Sequence, residues 1–86
     1  MTQKKITKDE FKALIDSIVK DINRVQGAQG YDLTFNEDGD ACWVIPATQV
    51  LYTHYFEIWQ AISIIYDIVW WVTVQDGKPC VEIINN

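Results

Sequence analysis

The stretch from Gln49 to Val74, QVLYTHYFEIWQAISIIYDIVWWVTV, limits what this chain can become more than any other part of it. It contains Trp59, Trp70, Trp71, Tyr52, Tyr55 and Tyr66, the single His54, and only two carboxylates, Glu57 and Asp67. One element cannot hide that much apolar surface, because an amphipathic helix buries a stripe of about 100° and a strand buries alternate residues. The rest of the chain has to fold around this stretch, and a surplus is left for another molecule to cover. Length sharpens the problem: the chain has 86 residues, and a domain of that size hides only about 60–65% of the surface its unfolded form exposes. A single domain over residues 1–86 is predicted, with residues 1–5 as a flexible N-terminal tail.

The flanking segments show what is available to cover it. Thr7-Lys8-Asp9-Glu10 has the spacing of a capping box, with Ile6 and Phe11 at the two positions of a hydrophobic staple. Apolar residues then recur at Phe11, Leu14, Ile15, Ile18, Ile22 and Val25, a helical stripe that Val19 widens and Gly27 ends. From Gly30 the period changes to two. Tyr31, Leu33 and Phe35 alternate with Asp32, Thr34 and Asn36 before Glu37-Asp38-Gly39 turns the chain. A three-residue loop there would set Phe35 against Ala41 and Leu33 against Trp43, with Ile45 on the same side and Cys42 and Val44 on the other. A two-residue Asp38-Gly39 turn would reverse the faces of the second strand. The three-residue loop is preferred for its cleaner division into apolar and polar faces.

Pro46 closes that strand. From Thr48, polar residues return at Thr53, Glu57, Gln60 and Asp67, opposite Leu51, Tyr55, Ile58, Ile62 and Ile65, which predicts a second helix ending between Ala61 and Asp67. Its composition favours strand, and as a strand the segment would enlarge the sheet instead. Ile68–Gln75 and Lys78–Ile84 read as a second hairpin about Asp76-Gly77. Trp70, Val72, Val74, Val81 and Ile83 would share one face and Val69, Trp71, Thr73, Cys80 and Glu82 the other. Pro79, lacking an N–H, predicts that the last strand is an edge. The fold class is therefore α+β, with two helices on one face of a four-stranded antiparallel sheet made of two hairpins, in the order α-β-β-α-β-β. The Thr34/Gly39/Cys42 and Thr73/Gly77/Cys80 spacings suggest an internal αββ repeat, with Thr opposite Cys on the outward face of each hairpin.

Charge narrows the partners. The net charge of −5 is uneven. Residues 1–26 carry six bases against four acids, and residues 27–86 carry only Lys78 against eight acids. That surface repels nucleic-acid phosphates and anionic lipid and attracts basic proteins, so direct nucleic-acid or membrane binding is not expected. No long apolar span and no signal-peptide pattern is present, and two cysteines do not form a disulfide framework, which predicts a cytoplasmic protein with reduced thiols.

No catalytic constellation stands out. His54 with Glu57 could form an acid–base pair on a helix, but no nucleophile accompanies them, and the bland reading is a surface His beside a surface Glu. Cys42 and Cys80 lack a basic environment and read as packing residues. The oxygen-rich run Asn36-Glu37-Asp38-Gly39-Asp40 lacks the length and terminal Glu of a calcium loop and reads as turn chemistry. Zinc spacing and a phosphate-binding glycine loop are absent, so no metal or cofactor is expected.

What remains is interaction. The sequence predicts a non-enzymatic binding module, an inhibitor or adaptor. Its expected contacts are an apolar set of Trp71, Val69, Trp59, Tyr52 and Val44 and an acidic set of Asp32, Glu37, Asp38, Asp40 and Asp76. A sharper version has the carboxylates mimic nucleic-acid charge toward a basic partner. The alternatives are a small structural homodimer, or a small-molecule binder or enzyme with a pocket around His54.

Overall fold

The structure is a computed structural model that describes residues 3–26, 30–46 and 56–86. Its elements run α1 (Lys8–Gln26), β1 (Tyr31–Phe35), β2 (Ala41–Pro46), α2 (Phe56–Ile65), β3 (Ile68–Gln75) and β4 (Lys78–Asn85). The order α-β-β-α-β-β is the one expected from the periodicity. Gly27, Thr48, Leu51, Thr53 and Tyr55 lie outside the described residues, so the helix end at Gly27 and the early start of the second helix are not addressed.

The start of α1 has the expected chemistry. The Thr7 hydroxyl accepts from the Glu10 N–H at 3.1 Å, and the Glu10 carboxylate accepts from the Thr7 N–H at 2.9 Å. Two donors that a helix N-terminus leaves without partners are thereby satisfied. Phe11, Ile15, Val19 and Ile22 are buried. At the other end, the Asn23 carboxamide holds the first strand. Its Oδ1 accepts from the Tyr31 N–H at 2.6 Å and its Nδ2 donates to the Tyr31 carbonyl at 3.0 Å.

The four strands form one antiparallel sheet in the order β1-β2-β4-β3. The β3–β4 hairpin has the predicted register: Gln75 pairs with Lys78 around Asp76-Gly77, both with positive φ, as a tight hairpin turn requires. The β1–β2 hairpin does not have the preferred register; it has the one expected for the alternative centred on Asp38-Gly39, with the faces of β2 reversed. Leu33 pairs with Val44 and Phe35 with Cys42, so Cys42 and Val44 face the core and Trp43 pairs with Thr34 on the other side. The cause is a longer connection than the three residues expected. The Asn36 N–H donates to the Ala41 carbonyl at 2.9 Å, leaving four residues between them. Asn36 Oδ1 accepts from the N–H groups of Gly39, Asp40 and Ala41. One more residue in the loop moves every side chain of β2 to the opposite face.

Two further expectations change with the sheet order. The last strand, β4, is interior, between β2 and β3. Pro79 is tolerated because the β2–β4 ladder ends at Val44–Val81, two residues short of it. The αββ repeat holds for the order of elements but not for the faces. Thr73 does pair with Cys80, whereas Cys42 pairs with Phe35 and points inward.

The core joins Phe11, Ile15, Val19 and Ile22 of α1 and Trp59 and Ile62 of α2 to Cys42, Val44, Val81 and Ile83 of the sheet. By register those four strand residues share one face, and Leu33, Phe35 and Trp70 pack with them. Ile65, expected inside, is exposed on α2. Residues 3–5, expected as part of a free tail, are held along the α2–β3 connection. Lys4 N–H donates to the Ile65 carbonyl at 3.0 Å and the Asp67 N–H to the Lys4 carbonyl at 2.8 Å. Lys5 Nζ also pairs with the Asp67 carboxylate at 2.8 Å.

Candidate protein-binding surface

Strand alternation places a row of four residues on the sheet face opposite the core: Thr34, Trp43, Glu82 and Trp71, one from each strand. The indole of Trp71 donates to Glu82 Oε1 at 3.1 Å, so one carboxylate stands between two Trp residues and orients at least one of them. Val69 and Ile84 pair in the row on one side, and Thr73 and Cys80 in the row on the other. Trp71 is 44% and Val69 37% exposed, and Trp43, Ile45 and Ile84 are half-buried. A contiguous apolar face carrying an indole with a fixed N–H is the composition found at binding surfaces.

The apolar surface continues around β3, which has one neighbour, β4, among the described residues. Val72 and Val74 have the core-facing parity yet are 49% and 64% exposed, unlike Ile68 on the same strand, which is buried. Over the half that holds Ile68 lies an open groove of about 520 Å³. Gln60, Ser63 and Ile64 of α2 line it together with Ile68 and Trp70. Trp70 is set there by a tilted contact with Phe56, ring centroids 5.2 Å apart, and by an indole hydrogen bond of 3.3 Å to Gln60 Oε1.

The structure brings together some of the residues expected from the sequence and separates others. Trp71 and Val69 are on one exposed face, as just described. Val44 and Trp59 are interior, at 0% and 1% exposure, and offer nothing to a partner. The register change carries Val44 inward, and Trp59 is on the buried side of α2. Tyr52 lies outside the described residues. The acidic set is dispersed. Glu37, Asp38 and Asp40 occupy the β1–β2 connection, beside Ala41, which pairs with Ile84 near the end of β4. Asp76 sits in the turn that begins β4, at the opposite end of the sheet. Asp32 is on β1 opposite Ile45, and Asp40 is engaged by Asn36 Nδ2 at 2.8 Å. The geometry thus gives no single array of carboxylates resembling a phosphate backbone.

His54, Tyr52 and Tyr55, central to a pocket reading, also lie outside the described residues. The groove beside β3 is lined by amides, a hydroxyl and apolar groups, with no titratable side chain. Among the described residues no three His, Cys, Asp or Glu side chains gather as metal ligands. Both cysteines are free. Burial pushes the Cys42 thiol up to about 12, with the Glu82 charge adding to it, against a smaller opposing hydrogen bond from Ile83. The Cys80 thiol is raised by the same two causes. Neither is poised as a thiolate at neutral pH.

Comparison of the chain with protein-family models, with curated proteins and with solved structures finds no match, so its surface has to be read from its own chemistry. Sequence reasoning missed Glu82 between two indoles and the exposed half of β3, and it set aside the register that turns Trp43 outward. All three depend on strand order or on the β1–β2 register, which pairwise alternation does not specify.

Proposed function

We propose that this chain is a non-enzymatic protein-binding module, an inhibitor or adaptor, that docks through the outer face of its sheet. The observation that carries the reading is the row Trp43–Glu82–Trp71 on the sheet face opposite the one that packs, among the described residues, with the two helices. Burying one such indole is worth about 1.5–3 kcal/mol, and the pre-set Trp71–Glu82 hydrogen bond lowers the ordering cost of binding. Asp32 and Glu82 are the carboxylates on this side, and the chain carries −5 overall. The partner is therefore a protein presenting Lys or Arg around an apolar contact. Two free, buried thiols suit a reducing compartment such as the cytoplasm. No helix among the described residues is long and apolar enough to cross a membrane.

The test is site-specific photocrosslinking in the native cell. A probe at Thr34, exposed beside Trp43, should give a discrete adduct with a different protein, lost when Trp43→Ala and Trp71→Ala are combined. A probe at Ser17, exposed on α1, should not give it. The same adducts from both positions, or none from Thr34, would remove the reading.

A further inference from the structure

Among the described residues the β3 edge away from β4 is unpaired, and it has a feature that a heterologous docking face does not need: its two halves are complementary to each other. Val72 and Val74 protrude from the half nearest the turn, and the groove floored by Ile68 and Trp70 opens along the other half. A two-residue turn makes Gln75 and Lys78 a hydrogen-bonded pair, so Thr73, Trp71 and Val69 also bond to β4. The backbone groups of Trp70, Val72 and Val74 therefore point away from the sheet, toward the free edge.

We propose that two copies of this chain pair antiparallel through β3, on a two-fold axis at Trp71, so that their four-stranded sheets join into one of eight strands. This register sets Val72 opposite Trp70 and Val74 opposite Ile68 of the second copy, as even-numbered residues bonded across the edge. Each protruding valine then enters the other copy's groove beneath Ile64, and the two Trp71 side chains meet on the outer face at a close, non-hydrogen-bonded pair. An isologous contact presents the same patch twice, so a charge near the axis would meet its like. The sequence of β3, IVWWVTVQ, carries no charge, while the other sheet edge, β1, carries Asp32. For a chain of net charge −5 that makes β3 the edge able to self-pair without repulsion. Edge strands that must stay single are ordinarily blunted by Lys, Pro or a bulge, and this one has none of these. The contact would remove on the order of 1,000 Å² in total, the lower end of what a specific dimer needs.

This proposal deepens the binding-module reading, because it would carry the two outer faces side by side as one platform. Its test separates the two. Purified full-length protein is examined by sedimentation equilibrium from about 1 to 200 μM, a span that brackets micromolar dissociation constants. A reversible dimer is expected, weakened more than about tenfold by Val74→Lys, which places two lysines in each interface. Circular dichroism and thermal melting should show that variant folded, since Val74 is mostly exposed. For the register, Trp71→Cys should form a symmetric intermolecular disulfide under mild oxidation, and Val69→Cys should not. A monomer throughout the concentration range, a dimer indifferent to Val74→Lys, or crosslinking at Val69→Cys in place of Trp71→Cys overturns the proposal. A monomer that still gives the Thr34 adduct overturns self-pairing alone and leaves the binding-module reading standing.

Discussion

The contact most sharply defined by close approach is between Gly30 and Asn23, and it yields a quantitative expectation. A Cβ at position 30 would lie 1.8 Å from Asn23 Oδ1 and 2.6 Å from its Cγ. Gly30→Ala must therefore expel the Asn23 carboxamide, breaking both of its hydrogen bonds to the Tyr31 backbone. Each such bond contributes about 0.5–1.5 kcal/mol net, and the stripped Tyr31 N–H costs more if water does not reach it. Against this, Gly→Ala stabilises by about 0.4–1 kcal/mol through the unfolded chain. The balance is a loss of about 2 kcal/mol, or roughly 8–16 °C in Tm for a domain of this size. Urea denaturation at one fixed protein concentration measures it. The decisive measurement is the double-mutant cycle. In an Asn23→Ala background the two closest atoms, Oδ1 and Cγ, are gone, and of the three nearest only the backbone Cα of residue 23, at 3.1 Å, is left. Gly30→Ala should then cost less than about 1 kcal/mol, giving a coupling above about 1 kcal/mol. Additive effects of the two substitutions would refute the clamp.

Other consequences follow from the same structure. Asn36→Ala removes the acceptor shared by Gly39, Asp40 and Ala41 and should destabilise by about 1–3 kcal/mol, with loss of the β1–β2 ladder visible in hydrogen exchange; an undisturbed ladder would contradict the loop assignment. Hydrogen bonding holds the carboxyls of Glu10 (from Thr7) and Asp67 (from Lys5, then Asn86) below their usual values. Their contribution is present above the unfolded-state values near pH 4 and is lost as pH falls through the folded ones, so Glu10→Gln and Asp67→Asn should each flatten the acid limb of stability against pH. The raised Cys42 thiol acts in the opposite direction. Its contribution is complete below the unfolded value near pH 9 and declines as pH rises toward about 12, and native-state labelling at pH 8 should proceed only as fast as the protein opens.

Local chemistry was legible in the residues; non-local pairing was not. The capping box at Thr7 and Glu10, the stripe from Phe11 to Ile22 and the Asp76-Gly77 turn each depend on neighbours within a few positions, and each stands as expected. The β1–β2 register failed on a single residue, because Asn36 organises a longer loop than Gly39 alone suggests and so carries Cys42 and Val44 inward. Sheet order was misjudged from Pro79. A missing N–H excludes a residue from a ladder only where the ladder extends, and β2 stops before reaching it. These errors propagate into the site. Val44 left the surface and Trp43 took its place, while Trp59, one of several apolar residues on every side of α2, is buried with Ile62 in the core.

The sheet order also explains why the surplus of apolar surface is where it is. Joining the two hairpins through β2 and β4 leaves as edges the strands that each directly follow a helix. Each edge depends for cover on its core side on what the helices lay over it. On β1 the consequence is mild, since Asp32 and Thr34 face outward and Leu33 and Phe35 reach the core packing around α1. On β3 it is not. β3 has eight residues against five for β1, and the buried residues of α2 among those described are Trp59 and Ile62. Val72 and Val74 stand in water although their parity assigns them to the core. Folding the monomer does not require valine at either position. A lysine there would satisfy the same pattern and protect the edge. The physical case for association is therefore independent of the hydrophobic content of the chain as a whole. It rests on apolar residues, Val72 and Val74, that stand exposed at positions whose parity assigns them to the core.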